Sequence, residues 1–273
     1  MTVTDPRRQG ELDTGSNPEF FEYYAQASES RGTLERFDIV RRKVLSLLDS
    51  LGEVGPYDVA DIGCGAGTQA MLWAADGHRV VALDVNGPLV ELGQQRAADH
   101  DLEISFHVGT ATDLPWKDAS VDVCLVPELL EHVTEWETCL DQFARIMKPG
   151  GVLYLSTTNY LCPRQQEFDL PFYSWYPARL KHHYERQSVT TRPELVNHAK
   201  YPAVNWFTPY YLARELRDRD FTRILDRFDA LGLATPSTTN QAITMLTRVL
   251  PPLRWVGHLC TPSTTLFAVM GGS

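Results

Sequence analysis

Between residues 57 and 158 the apolar positions fall into short runs that stop at glycines or polar turns, with stretches of helical spacing between them. Val59-Ala-Asp-Ile62 stops at a glycine-rich turn, and Gln69 to Ala75 continues as a helix. Arg79-Val-Val-Ala-Leu83 runs into Asp84, and Gly87 to Ala98 reads as helix. Ile104-Ser-Phe-His-Val108 and Val121-Asp-Val-Cys-Leu-Val126 are further strands, the second followed by a helix through Met147. Lys148-Pro-Gly-Gly151 is a turn, and Val152-Leu-Tyr-Leu-Ser156 closes the series as a strand. Strands that alternate with helices imply right-handed crossovers and an α/β fold around a mostly parallel sheet.

The flanks differ. Residues 1–18 are polar and read as a flexible tail. Residues 19–52 carry Phe20, Phe21 and Tyr24, then Leu34, Phe37, Val40, Val44, Leu47 and Leu48, the spacing of two helices broken near Gly32. After residues 53–158, which form the regular core, 159–206 lose all periodicity while accumulating prolines and aromatics. A loop this long inside a compact domain is functional or disordered, and the aromatics favour function. In residues 207–273, Thr208-Pro209 is an N-cap with proline at the first helical position, opening a helix from Tyr210 to Arg219. Strands follow near 223–231 and 264–270. Between them, apolar Gln241 to Cys260 either packs on the sheet as a crossover or lies on a membrane surface, with Arg248 and Arg254 flanking Leu250, Trp255 and Val256.

Composition narrows the classes. At about 150 residues per domain, 273 residues make one large α/β domain with a subdomain, or two small domains. A 43% hydrophobic fraction is enough for a packed core. A net charge of −10 disfavours a general nucleic-acid binder, whose affinity comes from neutralising phosphates. Cys64, Cys124, Cys139, Cys162 and Cys260 are scattered with no C-x-x-C pair, which argues against a disulfide framework and a zinc knuckle. No apolar stretch is long enough to span a membrane and the tail has no signal-peptide core, so the expected compartment is the cytoplasm.

The sharpest chemical signal is Asp61-Ile-Gly63-Cys-Gly65-Ala-Gly67-Thr68, placed between a strand and a helix. Glycines let the backbone approach a ligand, and a helix N-terminus favours electronegative groups. Asp84 ends the next strand, where an acid can accept both hydroxyls of a ribose. Together they point to an adenosine-containing cofactor, the alternative being a tight turn without a ligand. A dinucleotide fingerprint would need glycine where Thr68 stands, and no Gly-Lys-Ser/Thr follows for a phosphate loop.

Asp61-x-Gly63-x-Gly65-x-Gly67 resembles motif I of class I S-adenosylmethionine-dependent methyltransferases. The resemblance covers about residues 57 to 158 and keeps its order. Gly109 to Trp116 resembles the segment that brackets the adenine, with Thr110 and Ala111 at the contact positions; Thr110 stands where an acid is usual. Val121 to Pro127 resembles the fourth strand, and Lys148-Pro-Gly-Gly151 the turn before the fifth. What this implies is a doubly wound, Rossmann-like sheet with an antiparallel last strand, covered by a helical or irregular substrate cap over 159–206. It also implies S-adenosyl-L-methionine as cofactor, with Asp61, Gly63, Gly65 and Gly67 at its methionine end, Asp84 on its ribose, and Thr110, Ala111 and Pro127 completing the site.

Glu128-Leu-Leu-Glu131-His132 follows the fourth strand directly. In a helix, the two carboxylates and the imidazole would share one face and could hold a divalent cation, magnesium first, with manganese or zinc open. E-x-x-E-H resembles the ubiquinone-biosynthesis O-methyltransferases, which implies a metal site. The alternatives are His132 as general base, or a structural role. In the cap, Trp175, Tyr176, His198 and Trp206 are weaker candidates for a ring-bearing acceptor, and Arg179, Arg186 and Arg192 for an anionic group on it. The expected protein is an O-methyltransferase of a small hydroxylated metabolite, phenolic, catechol-like or sugar-containing, assisted by a metal through Glu128, Glu131 and His132. Two alternatives stand beside it: a metal-independent O- or N-methyltransferase with His132 as base, and a cofactor-binding protein without catalysis. The expected partner is a small molecule rather than nucleic acid, and the expected state a monomer or homodimer.

Overall fold

A computed structural model describes residues 18–196, 203–234 and 237–272. Helices α1 (Pro18–Ala27) and α2 (Arg31–Leu51) lead in. The break between them falls just before Gly32, at Ser30, whose hydroxyl caps α2 by accepting from the Thr33 amide. The alternating unit follows in the expected order: β1 (Asp58–Ile62), α3 (Thr68–Ala75), β2 (Arg79–Asp84), α4 (Gly87–Asp99), β3 (Ile104–Val108), β4 (Val121–Pro127), α5 (Trp136–Ile146) and β5 (Met147–Thr158). After an insert come α7 (Pro209–Arg217) and β6 (Phe221–Asp226), then α8 (Leu231–Ala234), α9 (Thr238–Val249), α10 (Pro251–Leu259) and β7 (Ser263–Met270). The Thr208 hydroxyl accepts from the Tyr211 amide, so the Thr-Pro start of α7 forms as its sequence dictates.

The seven strands order as β3-β2-β1-β4-β5-β7-β6. β3, β2, β1, β4 and β5 pair in parallel, and β7 runs antiparallel between β5 and β6. Alternate strand residues feed two cores. On one face Cys124, Val126 and Leu155 pack with Leu140 and Phe143 of α5 and Leu212 of α7. On the other, Val123, Leu125 and Phe267 pack with Val44 and Leu48 of α2 and Trp73 of α3. The carboxyl ends of β1, β2 and β4 thus converge on one edge, beside the point where the strand order reverses.

Two expectations need correction. The helix expected from Glu128 onward begins only at Trp136; residues 128–135 are turns. Tertiary hydrogen bonds explain this. The Asn205 amide side chain donates to the carbonyls of Leu130 (2.8 Å) and Val133 (2.6 Å), and the Val204 and Asn205 amides donate to the Glu131 carbonyl. Those carbonyls are therefore spent on another segment rather than on amides four residues ahead. The second correction concerns Gln241 to Cys260. It is not laid on the sheet by its apolar side: Met245, Val249, Trp255 and Val256 are exposed, while Thr247 and His258 are its buried members.

The insert is more ordered than its sequence implies. It contains α6 (Ala178–Thr190) and short helical turns at Tyr173–Trp175 and Pro193–Leu195. Phe168, Tyr173, Leu195 and Val196 form a small core of their own, packed by Tyr176, Tyr184 and Trp206. Its two ends are held together where Asn159 bridges to Phe207.

Candidate active site

The glycine turn after β1 is built from three left-handed residues, Gly63 (φ 75°), Gly65 (φ 52°) and Gly67 (φ 73°). They are glycines for different reasons. A Cβ on Gly67 would lie 2.7 Å from the Phe106 ring, so that position serves packing. A Cβ on Gly65 would meet nothing within 4 Å, so its backbone faces open space. That is the cradle a close-lying ligand requires.

Two carboxylates frame the cradle. Asp84 accepts from the Gly65 amide through Oδ2 (2.8 Å) and from the Asn86 amide through Oδ1 (2.8 Å). It thereby orients the glycine turn while each oxygen keeps lone pairs for a hydroxyl donor. Burial raises its pKa against those amide hydrogen bonds. Asp61 is fully buried; Oδ1 accepts from Gln69 Nε2 (3.3 Å), and Oδ2 has no partner among the described residues. Burial pushes the Asp61 carboxyl up to about 7. An orphaned buried carboxylate oxygen next to an open cradle matches a ligand that brings a cation or donor of its own. Thr110 is exposed and shares a hydrogen bond with Thr112 (2.9 Å), Ala111 is buried, and Pro127 ends β4 half-buried. The carboxylate acceptors and the open backbone fit the adenosine-bearing cofactor expected from the sequence.

The residues of E-x-x-E-H sit differently from the helical expectation. Glu128 takes a left-handed φ of 50°, turns the chain off β4, and pairs with Arg36 of α2 (2.9 Å). Glu131 is buried and accepts from the Thr157 hydroxyl (2.8 Å). Burial, then the charges of Glu167 and Glu128, pushes its carboxyl well above the usual range. His132 is half-buried in the turn. With no shared helical face, the two acids answer to different partners. Among the described residues, no group of three or more His, Cys, Asp or Glu is arranged to hold a metal ion. The donor set does not fit magnesium, manganese or zinc as the sequence expected.

Sequence reasoning missed Glu167 and Arg36. Glu167 lies in the insert, and burial followed by the Glu128 charge pushes it up to about 7. Neither residue belongs to a motif; the pairing of Arg36 with a residue 92 positions away is legible only in three dimensions. Of the weaker acceptor candidates, Tyr176 and Trp206 pack in the insert's own core, and Trp175 is exposed, its indole donating to the Leu161 carbonyl (3.3 Å). His198 lies outside the described residues. Arg179, Arg186 and Arg192 are exposed, and Arg192 pairs with Glu194 (3.0 Å).

Residues 60–155 match the methyltransferase domain family. This core is a methyltransferase domain. Among curated relatives, the chain is 31% identical over 129 residues to a ubiquinone biosynthesis O-methyltransferase of Caulobacter vibrioides, covering 45% of this chain and 51% of that protein. It is 28% identical over 131 residues to a malonyl-[acyl-carrier protein] O-methyltransferase of Serratia marcescens, covering 48% of this chain and 50% of that one. The matches therefore span about half the length of these relatives. In three dimensions the methyltransferase domain and its flanks superpose on the crystal structure of a (4+2)-cyclase with a TM-score of 0.58 at 16% identity, covering 97% of each chain. That likeness establishes the fold, a mixed and mostly parallel sheet with antiparallel last strands, and leaves the reaction to the site.

Proposed function

We propose that the chain is an S-adenosylmethionine-dependent O-methyltransferase of a small hydroxylated metabolite, working without a metal ion and using His132 as general base. The observation that carries the reading is the open cradle at Gly65, held in place by Asp84 and bordered by the orphaned oxygen of Asp61. S-adenosylmethionine supplies an electrophilic methyl group on a sulfonium sulfur. Asp84 holds the ribose hydroxyls, Asp61 the methionine ammonium, and Thr110 with Ala111 the adenine edge. In this reading Pro127 marks the boundary between cofactor and acceptor, and His132, half-buried in the turn that follows, serves the acceptor side.

His132 takes the acceptor's hydroxyl proton as the oxygen–carbon bond forms and the carbon–sulfur bond breaks, leaving a neutral thioether. Most of the rate comes from holding oxygen, carbon and sulfur in line in a dry site, and the base contributes the rest. The relatives named for ubiquinone and acyl-carrier substrates support O-methylation as the reaction class. Phenolic, catechol-like and sugar hydroxyls are the acceptors to screen, with amines as the control class.

Calorimetry with S-adenosylhomocysteine and turnover on such a panel test the reading together. Asp84→Ala should weaken binding by about 10- to 100-fold, the loss of a charge-assisted hydrogen bond. His132→Ala should lower kcat by about 10²–10⁴-fold while leaving that affinity unchanged. Binding with no transfer to any acceptor would favour a cofactor-binding protein without catalysis, and full turnover in His132→Ala would remove the base.

A further inference from the structure

A cavity of about 610 Å³ lies between α2 and the β5–β7 half of the sheet, and Pro127 and Glu128 at the end of β4 also line it. Its floor is the Tyr154 and Phe267 rings, their centroids 5.2 Å apart, and Phe37 and Phe228 are among the apolar residues lining it. Into this apolar space the fold places two cations, Lys43 of α2 and Arg227 after β6. Lys43 Nζ lies 5.9 Å over the Phe267 ring. Arg227 is anchored through Nη2, which donates to the Ser263 carbonyl (2.7 Å) and hydroxyl (3.0 Å) and to the Thr265 hydroxyl (3.3 Å). Its Nε is buried with no hydrogen-bond partner among the described residues.

Neither cation has a carboxylate partner among the described residues, and nearby acids are already engaged. Asp226, the neighbour of Arg227 in sequence, is bonded to His258 (2.7 Å) and Arg254 (2.8 Å). Glu128 at the rim is bonded to Arg36, the third cation of the lining. Burial lowers the pKa of Arg227, and burial and then the Arg227 charge lower that of Lys43, so the two cations repel across the cavity. Two desolvated like charges among hydroxyls and rings are unfavourable until an anion joins them.

We propose that this cavity binds the anionic end of the acceptor, a carboxylate or a phosphate, between Lys43 and Arg227. The acceptor class is then a molecule with one anionic group, an apolar or ring-bearing body and a hydroxyl at the far end. Its orientation is fixed by charge. Lys43 and Arg227 draw the anion to the β7 side, while Arg36 at the end of β4 is already paired with Glu128. The hydroxyl is left at Pro127, where the methyl group is delivered; this orientation rests on the proposed function, whereas the anion site itself does not.

The test is calorimetry on the full chain with two probes, pyrophosphate and benzoate, alongside S-adenosylhomocysteine. At least one anion should bind one to one, and the preferred probe tells phosphate from carboxylate. Lys43→Gln should weaken that binding by about tenfold or more and Lys43→Glu abolish it, with S-adenosylhomocysteine affinity unchanged in Lys43→Gln. Arg227→Lys, which keeps the charge but loses the fork, should retain part of the affinity. Absence of binding for both anions at millimolar concentration, or equal binding in wild type and Lys43→Glu, overturns the proposal. If S-adenosylhomocysteine fails to bind while Lys43→Gln still weakens anion binding, the methyltransferase reading falls and the anion site stands.

Discussion

Asp61 carries a conflict at a single residue. Its carboxyl is buried, one oxygen has no partner among the described residues, and burial pushes it up to about 7. A raised folded-state pKa means that the folded chain holds the proton more tightly than the unfolded chain. The resulting stability is full below the unfolded value of 3.8 and is lost as pH rises through about 7. Glu131 and Glu167 are raised for the same reason and act in the same direction. Asp61→Asn keeps the shape and removes the charge. Without ligand, its melting temperature should therefore exceed that of wild type at about pH 8, and fall less steeply from about pH 5 to about pH 8. S-adenosylhomocysteine should stabilise the variant much less. Thermal melts across that range check both outcomes; parallel profiles would show that the Asp61 carboxyl titrates in its ordinary range.

At the scale of elements, what the sequence made legible was local. A strand, three glycines and a helix announce themselves within ten positions, and Asp84 follows at the end of the next strand. The turn at 128–135 was not legible. Glu128, Glu131 and His132 have helical spacing, but the carbonyls such a helix would use are taken by Val204 and Asn205. Helix α6 hid for the opposite reason. Its buried positions are Lys181, Glu185 and Ser188, a stripe of correct spacing made of polar residues, with Lys181 Nζ 4.5 Å over the Trp206 ring. A search for apolar periodicity cannot find it. Since Asn205 fixes the turn through two carbonyls, Asn205→Ala should cost on the order of 1–3 kcal/mol. It should also lower kcat by displacing His132, with S-adenosylhomocysteine affinity retained because the Gly65 cradle and Asp84 lie elsewhere. Denaturant melts and steady-state kinetics read the two effects, and an unchanged kcat in a folded variant would separate the turn from the reaction.

At the scale of the whole molecule, the α9–α10 pair shows how far attachment can depart from the apolar pattern. Its large apolar side chains are exposed, and its inward contacts include a set of ion pairs beside the packing of His258 on Phe228 and Tyr210. Asp226 is buried at the end of β6 and accepts from His258 (2.7 Å) and Arg254 (2.8 Å) of α10, while Asp229 pairs with Arg254 and with Arg248 of α9 (3.0 Å). Burial would raise the Asp226 carboxyl, but His258 and Arg254 outweigh it and hold the group below its usual range. Its contribution is therefore present above the unfolded value of 3.8 and lost as pH falls through the lower folded value. Asp226→Asn leaves Arg254 with Asp229 alone and removes the charge that faces His258. Breaking a buried pair in this way costs about 3 kcal/mol or more, and the loss should be local. Hydrogen exchange in Asp226→Asn should quicken over residues 238–259 while β1, β2 and β4, whose packing depends on α2, α3 and α5, keep their protection. Uniform loss of protection through the sheet would mean that the network holds the whole fold, and unchanged exchange over 238–259 that it holds nothing.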